Sequence, residues 1–267
     1  MKTIITHVNP HLDDVCAAWL LQRFYPGWGK ARVRFVSARM APQASSRDTI
    51  YIGIGRGKYD EHKGDIGETA TTLVWRDVRA HIKNQLDLHA LEMLVSWAKR
   101  EDLGQYMGNP ERSYSIVIAV EHQWNLSGTD GAHLKVAYAI LDAVLNHLRD
   151  RAVVERDWAH RIEFQTRWGR GVGLQTSGRD VSTYAYEKEF VLCARVDKKR
   201  GFRGISAHAG SRVDLTAAAV RLRKIDPHAE WFLHHSKKLL LSGSRVAPGM
   251  KVSKLPLKKL IEIVHLK

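Results

Sequence analysis

The first fourteen residues constrain the fold more than any other stretch of the chain. Thr3, Ile4, Ile5 and Thr6 form a short β-branched run, the composition of a buried strand. Asn9-Pro10 then imposes a turn, and Val15 to Phe24 is apolar with helical spacing. A strand that hands over to a helix within a few residues is the start of a βαβ unit. His7, His11, Asp13 and Asp14 crowd into that handover. Imidazoles and carboxylates at the carboxyl end of a strand are the donor set of a divalent-cation site, and open α/β sheets bind ligands at that edge.

The next hundred residues keep the alternation. Arg32 to Val36 alternates polar and apolar and predicts a second strand; Thr49 to Ile54 predicts a third, followed by Gly55-Arg56-Gly57. Gly67 to Thr72 leads into an apolar helix through Val74, and Leu86 to Lys99 has helical apolar spacing. Ile116 to Val120 fits a short strand, a loop or a helix. Strands alternating with helices predict a mostly parallel sheet.

From His133 to Phe164 the pattern is long and helical, with Val136, Ile140, Leu141, Val144 and Leu148 on one stripe. Such a helix bridges two domains. The expected division is a metal-binding domain over 1–132, the bridging helix over 133–165 and a basic domain over 166–267. In the last of these, Trp168 to Gly173 with Thr176-Ser177-Gly178 predicts a mobile loop. Phe190 to Val196 and Phe202 to Ala209 predict paired strands, and Asp214 to Lys224 a capped helix. Trp231 to His234 with Leu239 to Leu241 predicts a hairpin, and Pro256 begins a terminal helix. The fold class is therefore α/β: a mostly parallel sheet first, then a smaller mixed unit.

Charge separates the two parts. Residues 1–150 hold 18 Lys and Arg against 17 Asp and Glu, whereas residues 151–267 hold 24 against 11. An excess of this size in one part favours an anionic partner such as nucleic acid, the alternative being a solvated basic face. No apolar run approaches the roughly 18 residues of a membrane span, so no membrane partner is expected. The opening residues do not resemble a secretory leader. Cys16 and Cys193 both sit in apolar runs, as buried free thiols would. A cytoplasmic location follows as an expectation.

Four clusters recur in one order: His7, His11, Asp13 and Asp14; then Tyr59-Asp60-Glu61-His62; then Glu101-Asp102-Leu103-Gly104; and lastly Ser242-Gly243-Ser244-Arg245. That order resembles the DHH phosphoesterase superfamily, and within it the MYG-type metal-dependent nucleases. His7-x-x-x-His11-x-Asp13 is similar to the family's first motif, with His11 in the place of an aspartate. Asp60-Glu61-His62 resembles the Asp-His-His motif with Glu61 in the middle, and Asp102 followed by Gly104 resembles the last metal-binding aspartate. The likeness covers about the first 105 residues and, more faintly, Trp231 to Ile263.

The resemblance implies a DHH-like N-terminal domain. It also implies divalent metal, Mn²⁺ first and Mg²⁺ second, as one or two ions on His7, His11, Asp13, Asp60, Glu61 and Asp102. It makes His62 and Asp60 the catalytic pair, His62 contacting the scissile phosphate or protonating the leaving group. Gly53 stands where the family has a bridging aspartate, so Asp60 takes that role or a single ion is held. Asp14 is better placed to cap the following helix than to touch metal. Gly243, Ser244 and Arg245 match a glycine-rich substrate loop, with His208, Arg212, His234 and His235 as further candidates. Trp168 and Trp231 suit core packing better than base stacking.

The function expected from all this is metal-dependent phosphodiester hydrolysis of a nucleic acid or short oligonucleotide. The alternatives are a catalytically weakened metal- and nucleic-acid-binding sensor, and a small-molecule phosphatase or pyrophosphatase.

Overall fold

The computed structural model describes residues 1–39, 45–64, 67–120 and 130–265. By backbone packing the chain divides into Met1–Leu148 and Arg149–Lys267.

The first unit holds a three-stranded parallel sheet in the order β2-β1-β3, from β1 (Thr3–His7), β2 (Arg32–Val36) and β3 (Thr49–Tyr51). The parallel sheet expected from the alternation is present, with β1 at its centre. The third strand is shorter than predicted. After Tyr51 only a single bridge, Ile52 to Tyr59, continues it, because Gly53 turns away with φ of 63°.

α1 (Leu12–Phe24) follows β1 and is buried along its first ten residues, from Leu12 to Leu21. It packs against α2 (Ala70–Val78) and α3 (Gln85–Asp102). Burial all round explains why α1 lacks a polar face. Thr69 caps α2, accepting from the Thr72 amide, and Asn84 caps α3 through the Leu86 and Asp87 amides. Residues 116–120 are helical, which settles the three readings of that segment. α4 (Asp130–Asp157) crosses the division between the units. Within the first unit its Asp142 accepts from the Trp19 indole at 2.9 Å and pairs with Arg23 at 2.9 Å.

The second unit is built on a six-stranded sheet in the order β4-β5-β6-β7-β9-β8. The strands are β4 (Ile162–Thr166), β5 (Gly169–Thr176), β6 (Leu192–Asp197), β7 (Arg203–Ala207), β8 (Phe232–Leu233) and β9 (Leu239–Ser242). Only β5 and β6 run parallel. α5 (Val181–Glu187) makes the crossover between them, as a parallel pair requires. One core joins the sheet to α6 (Thr216–Ile225) and α7 (Leu257–Val264) through Ile205, Leu222, Leu240 and Leu260. A second core lies among Val154, Val172, Leu174, Val181 and Phe190.

Two expectations are corrected in this unit. The helix stops at Asp157, and Phe164 belongs to a strand instead. The predicted mobile loop at Trp168–Gly173 is mostly strand β5, with Val172 and Leu174 fully buried. Its glycines mark close approach: a Cβ at Gly173 would stand 2.6 Å from Ile261 Cδ1 of α7, and one at Gly171 2.6 Å from the Phe164 ring. The predicted strand pair, hairpin and terminal helix are all present. Trp231 is buried, and both cysteines are buried and free.

Candidate metal centre

His7 ends β1 and His11 caps α1, so a five-residue turn holds both imidazoles at the carboxyl edge of the central strand. Asn9 adopts φ of 52°, a left-handed conformation that Asn tolerates better than most residues. The two rings meet edge to face at 5.4 Å. His7 Nε2 donates to Asp14 Oδ2 at 2.9 Å, and its Nδ1 donates to the Val8 carbonyl at 2.7 Å. Asp14 Oδ2 also accepts from the His11 amide at 3.3 Å. Asp14 is thus both the expected cap and a member of the cluster. One donor atom each from His7, His11 and Asp14 lies within 4.8 Å of the others.

A second trio with the same spacing is formed by Asp60, Glu61 and His62. These residues begin a single 3₁₀ turn, Glu61–Lys63, that follows the glycine-rich loop. Asp60 is buried and heavily used. Its Oδ1 accepts from the His62 amide at 3.0 Å and from His62 Nδ1 at 2.9 Å, and its Oδ2 accepts from the Arg56 amide at 2.6 Å. Arg56 sits at φ of 52° to reach it. The His62 ring is exposed and held from one side. Glu61 Oε2 is buried without a hydrogen-bond partner.

Asp13 lies differently from its neighbour. Its Oδ1 accepts from the Thr71 amide at 3.0 Å, and its backbone carbonyl accepts from the Thr71 hydroxyl at 2.8 Å, fixing the start of α2 onto α1. With His11, Asp102 and Arg112 it also lines a cavity of about 410 Å³. Asp102 falls in the last turn of α3 rather than beyond it. Arg112, which donates to Glu101 at 3.1 Å, had no signal in the sequence pattern. Nor did Asp14's place at the centre of the cluster, because helix capping already accounted for an acid in the first turn.

The electrostatics are those of crowded acids. The hydrogen bond to Asp14, working against burial, lifts His7 to about 9. Burial lifts Asp13 to about 7, aided by the charge of Asp14 and opposed by hydrogen bonds from Thr69 and Thr71. Burial also raises Glu61, with Asp14 and Asp60 adding to it. Burial and Asp14 raise Asp102. At His62 burial acts against the proton, yet the bond to Asp60 and the charges of Glu61, Asp60 and Asp14 outweigh it, leaving the ring above the ordinary histidine value. A divalent cation would relieve this repulsion. Mixed imidazole and carboxylate donors with an orphaned Glu61 oxygen fit such an ion.

The remaining candidates belong to the second unit and do not form one cluster. Gly243 follows β9 at φ of 92° against the Phe202 ring. Ser244 bridges to Ala247, and Arg245 is exposed. His208 follows β7, whose antiparallel register sets Arg203 opposite Ser242 and Ser206 opposite Leu239. His208 therefore lies at the other end of that ladder from Gly243. His234 and His235 stack at 4.0 Å in the β8–β9 turn.

No family model and no curated protein matches the chain. Among solved structures it is similar to a pGpG-specific phosphodiesterase from Vibrio cholerae, at 12% identity, with 90% of this chain and 91% of that one covered and a TM-score of 0.27. Among the described residues, no helix is long and apolar enough to cross a membrane.

Proposed function

We propose that the protein is a divalent-metal-dependent phosphodiester hydrolase of the DHH type, acting on a nucleic acid or short oligonucleotide. The observation that carries this reading is the pair of trios, His7/His11/Asp14 and Asp60/Glu61/His62, set at the turns that follow β1 and β3. Mn²⁺ or Mg²⁺ would be held by His7, His11, Asp14, Asp60 and Glu61, with Asp13 and Asp102 adding carboxylates from the cavity wall beside His11, while His62 stays outside the metal set. Such an ion supplies a water of lowered pKa and charge to match the phosphoryl oxygens.

The chain's own residues do the rest. Asp60 holds the His62 ring by Nδ1 and strengthens its hold on a proton, and the rest of the ring is exposed. His62 then donates its proton to the leaving oxygen as the phosphodiester breaks. Arg112, beside the cavity, offers a guanidinium for a phosphate oxygen. In the basic unit, Gly243, Ser244, Arg245 and His208 would contact the anionic substrate backbone, with Arg245 free to grip phosphate in bidentate fashion.

The test is turnover by metal-stripped protein to which Mn²⁺ is returned, with a short oligonucleotide, a cyclic dinucleotide and pyrophosphate as substrates. Oligonucleotide cleavage that needs Mn²⁺ supports the proposal. Hydrolysis of pyrophosphate alone would make the protein a small-molecule enzyme. Mn²⁺ binding with no turnover of any substrate would make it a sensor.

A further inference from the structure

In the second unit, one face of the six-stranded sheet gathers hydrogen-bond donors that nothing accepts from. The pairing of β6 with β7 sets Cys193 opposite Ser206 and Arg195 opposite Gly204, so Arg195 and Ser206 lie on the same face. α5 packs over that face, and its Ser182 hydroxyl meets the Ser206 hydroxyl at 2.8 Å. Tyr186 stands about one turn further along α5, its ring edge-on to His208 with the centroids 5.5 Å apart.

Arg195 is half-buried, yet among the described residues it makes no ion pair and donates no hydrogen bond. Its neighbours differ: Arg200 pairs with Asp197 at 3.0 Å, and Arg203 donates to the Leu255 carbonyl at 3.1 Å. Asp197, the acid on this face of β6, is taken up by that pair and by the Lys199 and Arg200 amides. The Arg195 side chain lies close over the backbone of β7, where a Cβ built at Gly204 would stand 3.4 Å from its Nε. The Tyr186 hydroxyl oxygen is buried and makes no hydrogen bond. Burial lifts that phenol to about 12, and Ser206, Ser182 and Arg195 are all near enough to oppose the rise. Of the two serine hydroxyl hydrogens, one closes the Ser182–Ser206 bond and the other is left to donate. A half-buried cation and a buried hydroxyl without acceptors are costly unless a ligand supplies them.

We propose that Arg195, Tyr186 and the Ser182–Ser206 pair form a binding site for a phosphoryl group, held by the second unit alone. The guanidinium offers a phosphate two parallel N–H bonds, and the hydroxyls donate to its remaining oxygens. The donors come from a helix and from the strands beneath it, which suits a tetrahedral anion better than a flat carboxylate. The site is independent of the metal-centre reading, which concerns the first unit; a protein that bound no cation would still carry it. The phosphoryl group belongs either to a bound oligonucleotide or to a separate phosphate-bearing ligand, and the test distinguishes the two.

The experiment is calorimetric titration of the metal-stripped full chain with inorganic phosphate, with folding checked by circular dichroism. Wild type should bind phosphate, and Arg195→Met should weaken that binding by about 10–100-fold, the range for a charged hydrogen bond. Tyr186→Phe, which removes only the hydroxyl, should weaken it by about 3–10-fold; should Arg195→Met fail to fold, this variant carries the comparison. Arg195→Lys should restore part of the affinity lost in Arg195→Met, because the charge returns without the fork. Acetate should bind far more weakly than phosphate. A terminally phosphorylated oligonucleotide that displaces phosphate, and that binds Arg195→Met less well than wild type, makes its own phosphate the occupant. Phosphate retained beside the oligonucleotide makes the occupant a separate ligand. Equal phosphate affinity in wild type and the folded variants, or no phosphate bound by folded wild type, would overturn the proposal. Acetate binding as tightly as phosphate would overturn the phosphoryl class of its ligand.

Discussion

Asp13 makes the cation-free protein lose stability as pH rises, the reverse of the usual behaviour of a carboxylate. The unfolded chain ionises Asp13 near 3.8, while the folded chain holds the proton until about 7. Between those values the unfolded state is charged and the folded state is not, so each added pH unit favours unfolding by about 1.4 kcal/mol. The stability is fully present below 3.8 and is lost as pH climbs through about 7. Over the interval the loss reaches about 4 kcal/mol, an upper figure because a loosened site admits water. Asp13→Asn removes the titration while keeping the oxygen that accepts from Thr71.

The variant and wild type, stripped of metal, should be about equally stable only near pH 3.8, and by pH 5 the variant should already lead by about 1.6 kcal/mol. At pH 8 the variant should be the more stable, by up to roughly 10 °C. Thermal unfolding followed by circular dichroism in chelator reads both. A variant less stable than wild type at pH 8, or a wild-type midpoint that does not fall between pH 5 and 8, would refute the reasoning.

Other outcomes follow from the same geometry. His62→Ala should lower kcat by about 10²–10⁴-fold while leaving Mn²⁺ binding within a few-fold, because the ring donates a proton on an exposed side. With His62 as the acid, wild-type activity should fall as pH rises, on a limb lying above that of an ordinary histidine because the bond to Asp60 favours the proton, read from the kcat profile. Arg245→Ala should raise KM for an oligonucleotide and reduce the salt slope of binding by about one phosphate contact, with kcat little changed. Gly173→Val should destabilise the second unit by about 1–3 kcal/mol, because Ile261 occupies the space its side chain would need; denaturant unfolding measures it.

The first turn was legible because its chemistry and its periodicity coincide. β-Branched residues, an Asn-Pro break and an apolar helix leave His7 and His11 one place to be. After residue 160 the β6–β7 and β8–β9 pairs were legible for the same local reason, whereas the β4–β5 pair was not. Gly169 to Gly173 misled because composition alone cannot distinguish a glycine that frees the chain from one that admits a neighbour. Only the packing of Phe164 and Ile261 shows the second. Asp13 and Asp14 are adjacent and chemically alike, yet one faces Thr71 and the other His7. That choice is set by the helix rotation of about 100° per residue and by α2, which lies over fifty residues further along. Gly53 shows the same limit: its meaning lies in Asp14, brought beside it by the parallel pairing of β1 and β3.

The most direct measurement is anomalous diffraction at the manganese edge from crystals of the full chain grown with Mn²⁺. The account predicts a peak within coordination distance of His7 Nε2, His11 and Asp14, the His7–Asp14 hydrogen bond giving way to the ion. A map with no peak there, in a crystal whose His7, His11 and Asp14 side chains are ordered and free of contacts with neighbouring molecules, would contradict it.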